Sequence, residues 1–262
     1  MALTLAIANQ KGGVGKTTST VNLGYLLRKE HGRRVLVVDC DPQASLTVYY
    51  GQNPYALEEG KGTLYWALLK DVPIDQVILS GDTTRPDLVP ASLRLSTGEE
   101  EMLADMNPSA LLRDALAPIQ EAYDFILLDC PPNLTRLMIN ALTAADAVLV
   151  PVKTDYLSAH GIGLIFDTVE KVRRRANPRL RVLGVLPTIY NAQANHDRQM
   201  LEELRHVAAN RKLRVFDPIN RSTAFDRASI ESRPTAEMLP NAPGVENYRA
   251  LALELTSHAA VA

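Results

Sequence analysis

Residues 9–18, Asn-Gln-Lys-Gly-Gly-Val-Gly-Lys-Thr-Thr, limit the possible folds more than any other stretch of the chain. They follow an apolar run (Leu3, Leu5, Ile7) and precede a helical pattern that begins near Thr17. A glycine-rich loop between a strand and a helix is the setting of a phosphate-binding loop. Gly12, Gly13 and Gly15, with Val14 between them, allow successive N–H groups to turn inward as a nest for phosphate oxygens. Lys16 adds a point charge for the outer phosphates. Thr17 offers a hydroxyl ligand to Mg²⁺, and Thr18 with the helix N-terminus a site for an inner phosphate. Lys11, five residues before Lys16, is an extra cation beside that site.

Two acidic strand ends accompany the loop. Residues 34–39, Arg-Val-Leu-Val-Val-Asp, have the β-branched character of a buried parallel strand and lead into Asp39-Cys40-Asp41-Pro42-Gln43-Ala44-Ser45. The run Phe125-Ile126-Leu127-Leu128 ends likewise at Asp129, and Pro131 and Pro132 stiffen the exit. Carboxylates at the C-terminal ends of parallel strands lie on the rim where open α/β sheets bind ligands, and Asp129 is placed to hold Mg²⁺ through an ordered water. Residues 147–152 and 182–189 read as further strands, leading into helices over about 157–176 and 195–210. A strand at 87–90, a helix at 62–70 and a helix opened by Asn107-Pro108-Ser109 and running to about 121 fill the middle of the chain. The alternation predicts an α/β fold, a doubly wound, mostly parallel sheet with helices on both faces, as one domain over 1–262.

Composition bounds what such a domain can do. With 262 residues, 46% hydrophobic and 22% charged, the chain can bury one large core. No apolar run approaches the ~20 residues of a membrane span, and no basic segment with an apolar signal core opens the sequence, so a cytoplasmic protein without membrane attachment is expected. Cys40 and Cys130 each follow an aspartate at a strand end, where burial is expected rather than a disulfide. Five scattered histidines form no metal-ligand spacing. Net charge is −2, yet residues 171–233 carry 14 Lys+Arg against 6 Asp+Glu, leaving −10 elsewhere. Charge alone admits two readings of that stretch, a basic binding face or solvated helix surfaces.

The segment Lys11-Gly12-Gly13-Val14-Gly15-Lys16-Thr17 resembles the deviant Walker A sequence of the ParA/MinD class of P-loop ATPases. Residues 39–44 resemble that family's first switch, D-x-D-P-Q-[GA], and residues 129–134 its second, D-C-P-P-x-[LT]. The resemblance continues through Gly184-Val185-Leu186-Pro187-Thr188 to Ile219-Asn220-Arg221, where relatives often carry I-P-R. It implies ATP as the nucleotide, held with Mg²⁺ through Thr17, Asp39 and Asp129, and a catalytic set of Lys11, Lys16 and Asp41. Lys11 would reach across a dimer to the partner's nucleotide, and Asp41 would position the attacking water. Pro42 and Gln43 would move with the first switch, and Pro131 and Pro132 with the second. Pro187, Thr188 and Asn220 would lie near base and ribose, with Asn220 departing from the family's proline. Arg221 matches the arginine on the DNA-facing side of relatives, whereas Arg173, Arg174 and Arg175 are a second DNA-binding choice on charge density alone.

The same comparison separates relatives. Residues 248–255 hold a single cation, Arg249, unlike the basic amphipathic helix expected at the end of a membrane-binding MinD. Two cysteines do not supply the cluster of a nitrogenase iron protein. The loop begins within ten residues of Met1, with no helix-turn-helix extension ahead of it. The expected function is that of a short, Soj-like ParA, partitioning a chromosome or plasmid. ATP would join two copies into a sandwich dimer that binds double-stranded DNA without sequence preference and associates with the nucleoid. A ParB-like centromere-binding protein would stimulate its slow hydrolysis. The alternatives are a related ATPase that positions a protein cargo on the nucleoid and a metabolic P-loop enzyme with a small-molecule pocket.

Overall fold

The computed structural model describes residues 1–259, with the backbone alone for residues 156–160 and 258–259. Six strands form one parallel sheet: β1 (Leu3–Ile7), β2 (Val35–Asp39), β3 (Asp87–Val89), β4 (Phe125–Asp129), β5 (Ala147–Lys153) and β6 (Arg181–Thr188). Their order across the sheet is β3-β2-β4-β1-β5-β6. Twelve α-helices connect and cover them. The first six are α1 (Lys16–Lys29), α2 (Ser45–Tyr49), α3 (Pro54–Glu59), α4 (Leu64–Leu69), α5 (Arg94–Glu101) and α6 (Leu111–Leu116). The remainder are α7 (Arg136–Ala144), α8 (Tyr156–Arg175), α9 (Asn195–Asn210), α10 (Thr223–Ile230), α11 (Thr235–Met238) and α12 (Val245–Ala259).

Alternate residues of a strand point to opposite faces, and both faces here are apolar. Leu36, Val38, Ile126 and Leu128 join one core with residues of α4 to α9, while Val35, Val37, Phe125 and Leu127 join the other with α1 and α12. The near-continuous Val, Leu and Ile runs therefore mark fully covered strands, as the sequence predicts. Tyr248 of α12 is fully buried against α1, and its hydroxyl lies 2.9 Å from that of Ser19. Close approach fixes one glycine: a Cβ at Gly184 of β6 would stand 2.6 Å from Phe216 Cε2.

The predicted helix at 107–121 is instead two pieces. α6 stops at Leu116 and a 3₁₀ segment, Ala117–Ala122, follows. Pro118 supplies no N–H for the i−4 bond and clashes with the preceding turn, so the regular helix ends there. The C-terminal ends of β1, β2, β4, β5 and β6 share one rim, and the register sets Asp39 directly beside Asp129 and Ile7 on the other side of Asp129.

Candidate functional site: a phosphate cleft with two buried carboxylates

The loop after β1 carries Gly13 and Gly15 at φ of 68° and 83°, angles that L side chains rarely adopt, and α1 starts at Lys16 directly behind them. Lys16 is 7% exposed and its Nζ donates to the Lys11 carbonyl at 3.0 Å, so the ammonium curls over the loop. Burial lowers its pKa, an effect opposed by the charges of Asp129, Cys130 and Asp41. Thr188 at the end of β6 donates to the Val14 carbonyl at 2.9 Å and pins the outer turn of the loop.

Behind the loop, Asp129 Oδ2 accepts from the Thr17 hydroxyl at 2.7 Å, and Thr20 Oγ1 lies 3.3 Å from Oδ1. Asp39 accepts from Asp41 N at 3.1 Å, from Thr47 N at 2.8 Å and from the Thr47 hydroxyl at 2.7 Å. Both carboxylates are buried, at 0% and 1% exposure. Burial pushes the Asp39 pKa up to about 7 against the pull of the Thr47 donors. Burial and then the neighbouring Asp39 charge push Asp129 up to about 8. Two adjacent carboxylates that resist ionisation, with a threonine hydroxyl in front, fit a divalent cation: the cation would supply the positive charge that this pair lacks. Asp41 is half-buried at the mouth, and its carboxylate accepts from Gln43 N at 2.9 Å, which fixes its direction.

Two connected openings surround the loop. One, about 670 Å³, is lined by Lys16, Thr17, Asp41, Gln43, Tyr49 and Pro132 among others, and suits the outer phosphates. The second, about 660 Å³, shares Gly13, Gly15 and Thr18 with it and extends past Thr188, Asn220, Phe225 and Tyr248, a chamber of the size a base and sugar need. Asn220 is one of the residues that line this chamber. Pro187 does not line the chamber; it is buried in β6 and its carbonyl accepts from Ile219 N at 2.8 Å, holding the 219–223 loop in place. Pro131 is buried, and Pro42 is half-buried beside Asp41.

Lys11 is directed to the rim, where its Nζ meets Asp155 at 3.0 Å, and Lys153 meets the same carboxylate at 3.3 Å. Arg221 lines the base-side chamber. Arg173, Arg174 and Arg175 occupy the last turn of α8, a helix of 20 residues and so about 30 Å long, which carries them to the opposite pole. Arg173 is paired there with Glu170 at 3.4 Å. The structure therefore gathers the loop and both switches into one site but keeps the two basic candidates apart. Sequence reading missed Thr47, Thr20, Lys153, Phe225 and Tyr248. A hydroxyl three residues after Thr17 on the same helix could have signalled Thr20; the others lie in α2, β5, α10 and α12, which only the tertiary fold brings to the loop.

Residues 2–182 match a family model described as an AAA domain. The chain is 34% identical over 258 residues to the sporulation initiation inhibitor protein Soj of Bacillus subtilis, covering 98% of this chain and 100% of that one. It is 36% identical to the chromosome partitioning protein ParA of Myxococcus xanthus, covering 96% and 87%. Among solved structures, it superposes with a TM-score of 0.83 at 35% identity on a Mycobacterium smegmatis protein described as cobyrinic acid a,c-diamide synthase, bound to an ATP analogue and magnesium, over 98% of this chain and 96% of that one. An ATP complex of a Cyanothece McdA variant superposes with a TM-score of 0.87 at 25% identity, over 98% and 96%. With its phosphate loop, paired strand-end aspartates and all-parallel sheet, the chain belongs to the AAA-domain family of P-loop ATPases, in the ParA/Soj group.

Proposed function

We propose that this chain is a DNA-partitioning ATPase in which ATP and Mg²⁺ join two copies face to face. The dimer holds double-stranded DNA through its phosphates until a ParB-like partner stimulates hydrolysis. The observation that carries this reading is the placement of Lys11. It stands at the open rim paired with Asp155, while Lys16 folds over the loop, a division that supports one lysine serving the phosphates of its own chain and the other a partner's. Exposed apolar residues border that face: Val48 lines the phosphate opening, Leu134 follows the Asn133 that bonds Gln10, and the Leu164 carbonyl accepts from Gln10. A second copy covering them would exclude water from both clefts.

Thr17, with Asp39 and Asp129 behind it, would hold Mg²⁺, which neutralises charge at the outer phosphates when bound. Asp41 orients the attacking water as a hydrogen-bond acceptor. Among the described residues no arginine lines the phosphate opening, which agrees with slow unassisted turnover, since an arginine finger accelerates other NTPases by ~10³ to 10⁵. No described helix is long and apolar enough to cross a membrane.

Sedimentation with ADP or ATP, with and without DNA, tests the reading. The expected result is a dimer with ATP and co-sedimentation with unrelated DNA sequences in ATP alone; an ATP-bound monomer indifferent to DNA would overturn it. The diamide synthase description of the 35%-identical neighbour favours a second reading, a ligase acting on a corrin carboxylate. Calorimetric titration of cobyrinic acid into the ATP-loaded chain decides that point, and no heat of binding is expected.

A further inference from the structure

No motif marks Thr47, yet it holds the Asp39 carboxylate more closely than any other residue. Both its N–H (2.8 Å) and its hydroxyl (2.7 Å) donate to Asp39 Oδ2. A hydroxyl has one proton, and once that proton is committed to Asp39 the oxygen is free to accept. Here it accepts from Ala91 N at 2.9 Å, just beyond the end of β3. Thr47 and Ala91 are fully buried, so water replaces neither bond.

The next residue carries the connection outward. The Ser92 hydroxyl donates to Glu58 Oε2 at 2.6 Å, Thr63 donates to the same oxygen at 2.7 Å, and Trp66 Nε1 donates to Glu58 Oε1 at 2.8 Å. The indole also faces two cations, Lys61 at 5.2 Å and Arg94 at 5.4 Å from the ring. A chain of hydrogen bonds, fully buried from Asp39 to Ala91, half-buried at Glu58 and Trp66 and interrupted by one peptide unit, thus runs from the cleft to the tryptophan on α4.

We propose that Thr47 is the positioning residue for the Asp39 carboxylate toward the Mg²⁺ of the nucleotide site, and that its hydroxyl couples that carboxylate through residues 91 and 92 and Glu58 to Trp66. The inference rests on the reading of the cleft as a Mg·ATP site. Asp39 cannot turn toward an arriving cation without drawing on Thr47, and Thr47 cannot shift without drawing on Ala91. Removing the hydroxyl while keeping the shape leaves Asp39 Oδ2 with one donor and Ala91 N with none.

Trp66 is the only tryptophan in the chain, so its fluorescence reads the far end of the relay directly. The experiment titrates Mg²⁺ into the full chain with a fluorescently labelled ATP, following nucleotide affinity and tryptophan emission together, for wild type, Thr47→Ser, Thr47→Val and Ser92→Ala. Metal-free nucleotide affinity is expected to be equal in all four. Thr47→Val should need about tenfold more Mg²⁺ for half-saturation, the loss of one hydrogen bond to a charged group, and should lose the tryptophan response. Thr47→Ser should restore both. Ser92→Ala, outside the phosphate site, should keep the wild-type Mg²⁺ midpoint and lose the tryptophan response, which keeps the relay testable even if Thr47→Val does not fold. A merely structural threonine would lower the melting temperature and leave the Mg²⁺ midpoint in place. A Thr47→Val midpoint within twofold of wild type overturns the positioning role, and an intact tryptophan response in Ser92→Ala overturns the relay. If wild type itself shows no Mg²⁺-dependent nucleotide binding, the Mg·ATP reading fails rather than the role of Thr47.

Discussion

Lys16 is the only cation lining the phosphate opening among the described residues, so its truncation leaves that opening without one. Lys16→Ala should abolish ATP binding in an equilibrium titration; near-normal affinity would remove the phosphate-loop assignment. Asp41 has a different task. Its carboxylate is aimed by Gln43 N but bonds no loop residue in this structure, so Asp41→Ala should bind ATP normally and lose turnover by 10²-fold or more, roughly the size of a positioned acid–base group. Phosphate release assayed beside sedimentation would show a lasting ATP-bound dimer. The Asp39 and Asp129 pair adds a pH signature. Their pKa values in the folded chain are raised, to about 7 and about 8, above the ~4 of an unfolded aspartate, so the folded state binds more protons between those limits. Metal-free stability contributed by the pair is therefore full below about pH 4 and declines as pH rises toward 8. A bound cation favours the ionised pair, so Mg·ATP binding near pH 7 should release protons. Calorimetry in two buffers of different ionisation enthalpy would show this as a buffer-dependent heat, and identical heats would contradict it.

Strands were the most legible elements, because a strand covered on both faces has no polar alternation and shows as an apolar run, as in Val35–Asp39 and Phe125–Asp129. The buried carboxylates Asp39 and Asp129 were legible for the same reason, since each closes such a run. Helix ends were less so: Pro118 splits a pattern that periodicity alone would continue. α2 was invisible, being five residues long and entered through Ala44 at a φ of 54°, a conformation fixed by surroundings rather than by residue type. That missing turn is what returns Thr47 to Asp39, so the relay to Trp66 depends on tertiary register and left no trace in spacing. Gly184 offers a direct test of element packing. In Gly184→Ala the new methyl meets the Phe216 ring and stands 3.0 Å from the Arg214 carbonyl, a backbone atom with little freedom to yield. The variant should lose about 1 to 3 kcal/mol in chemical denaturation, with nucleotide affinity unchanged where it remains folded.

At the scale of the molecule, the two basic candidates belong to different surfaces. Arg221 stands at the nucleotide chamber, whereas Arg173, Arg174 and Arg175 sit at the far end of α8, where positive charge also complements the helix C-terminus. Backbone contacts to DNA release counterions, so each lost contact flattens the dependence of affinity on salt. Arg221→Ala is expected to weaken binding to unrelated DNA sequences about equally and to lower the salt slope by roughly one contact per chain, with ATP-driven dimerisation intact. Replacing the three α8 arginines in a separate variant tests the other pole, and an unchanged slope for Arg221→Ala counts against Arg221 as a DNA contact. The contact between α1 and α12 has a consequence for synthesis. Ser19 and Tyr248 meet although 229 residues separate them, and Leu23, Leu26 and Leu27 of the phosphate-loop helix share a core with Leu251 and Leu255. During synthesis the nucleotide loop precedes α12 by more than 200 residues, so that loop's helix lacks its backing until α12 arrives. The phosphate-loop helix is therefore made well before its packing can be completed, and its final seating waits on a helix distant in sequence.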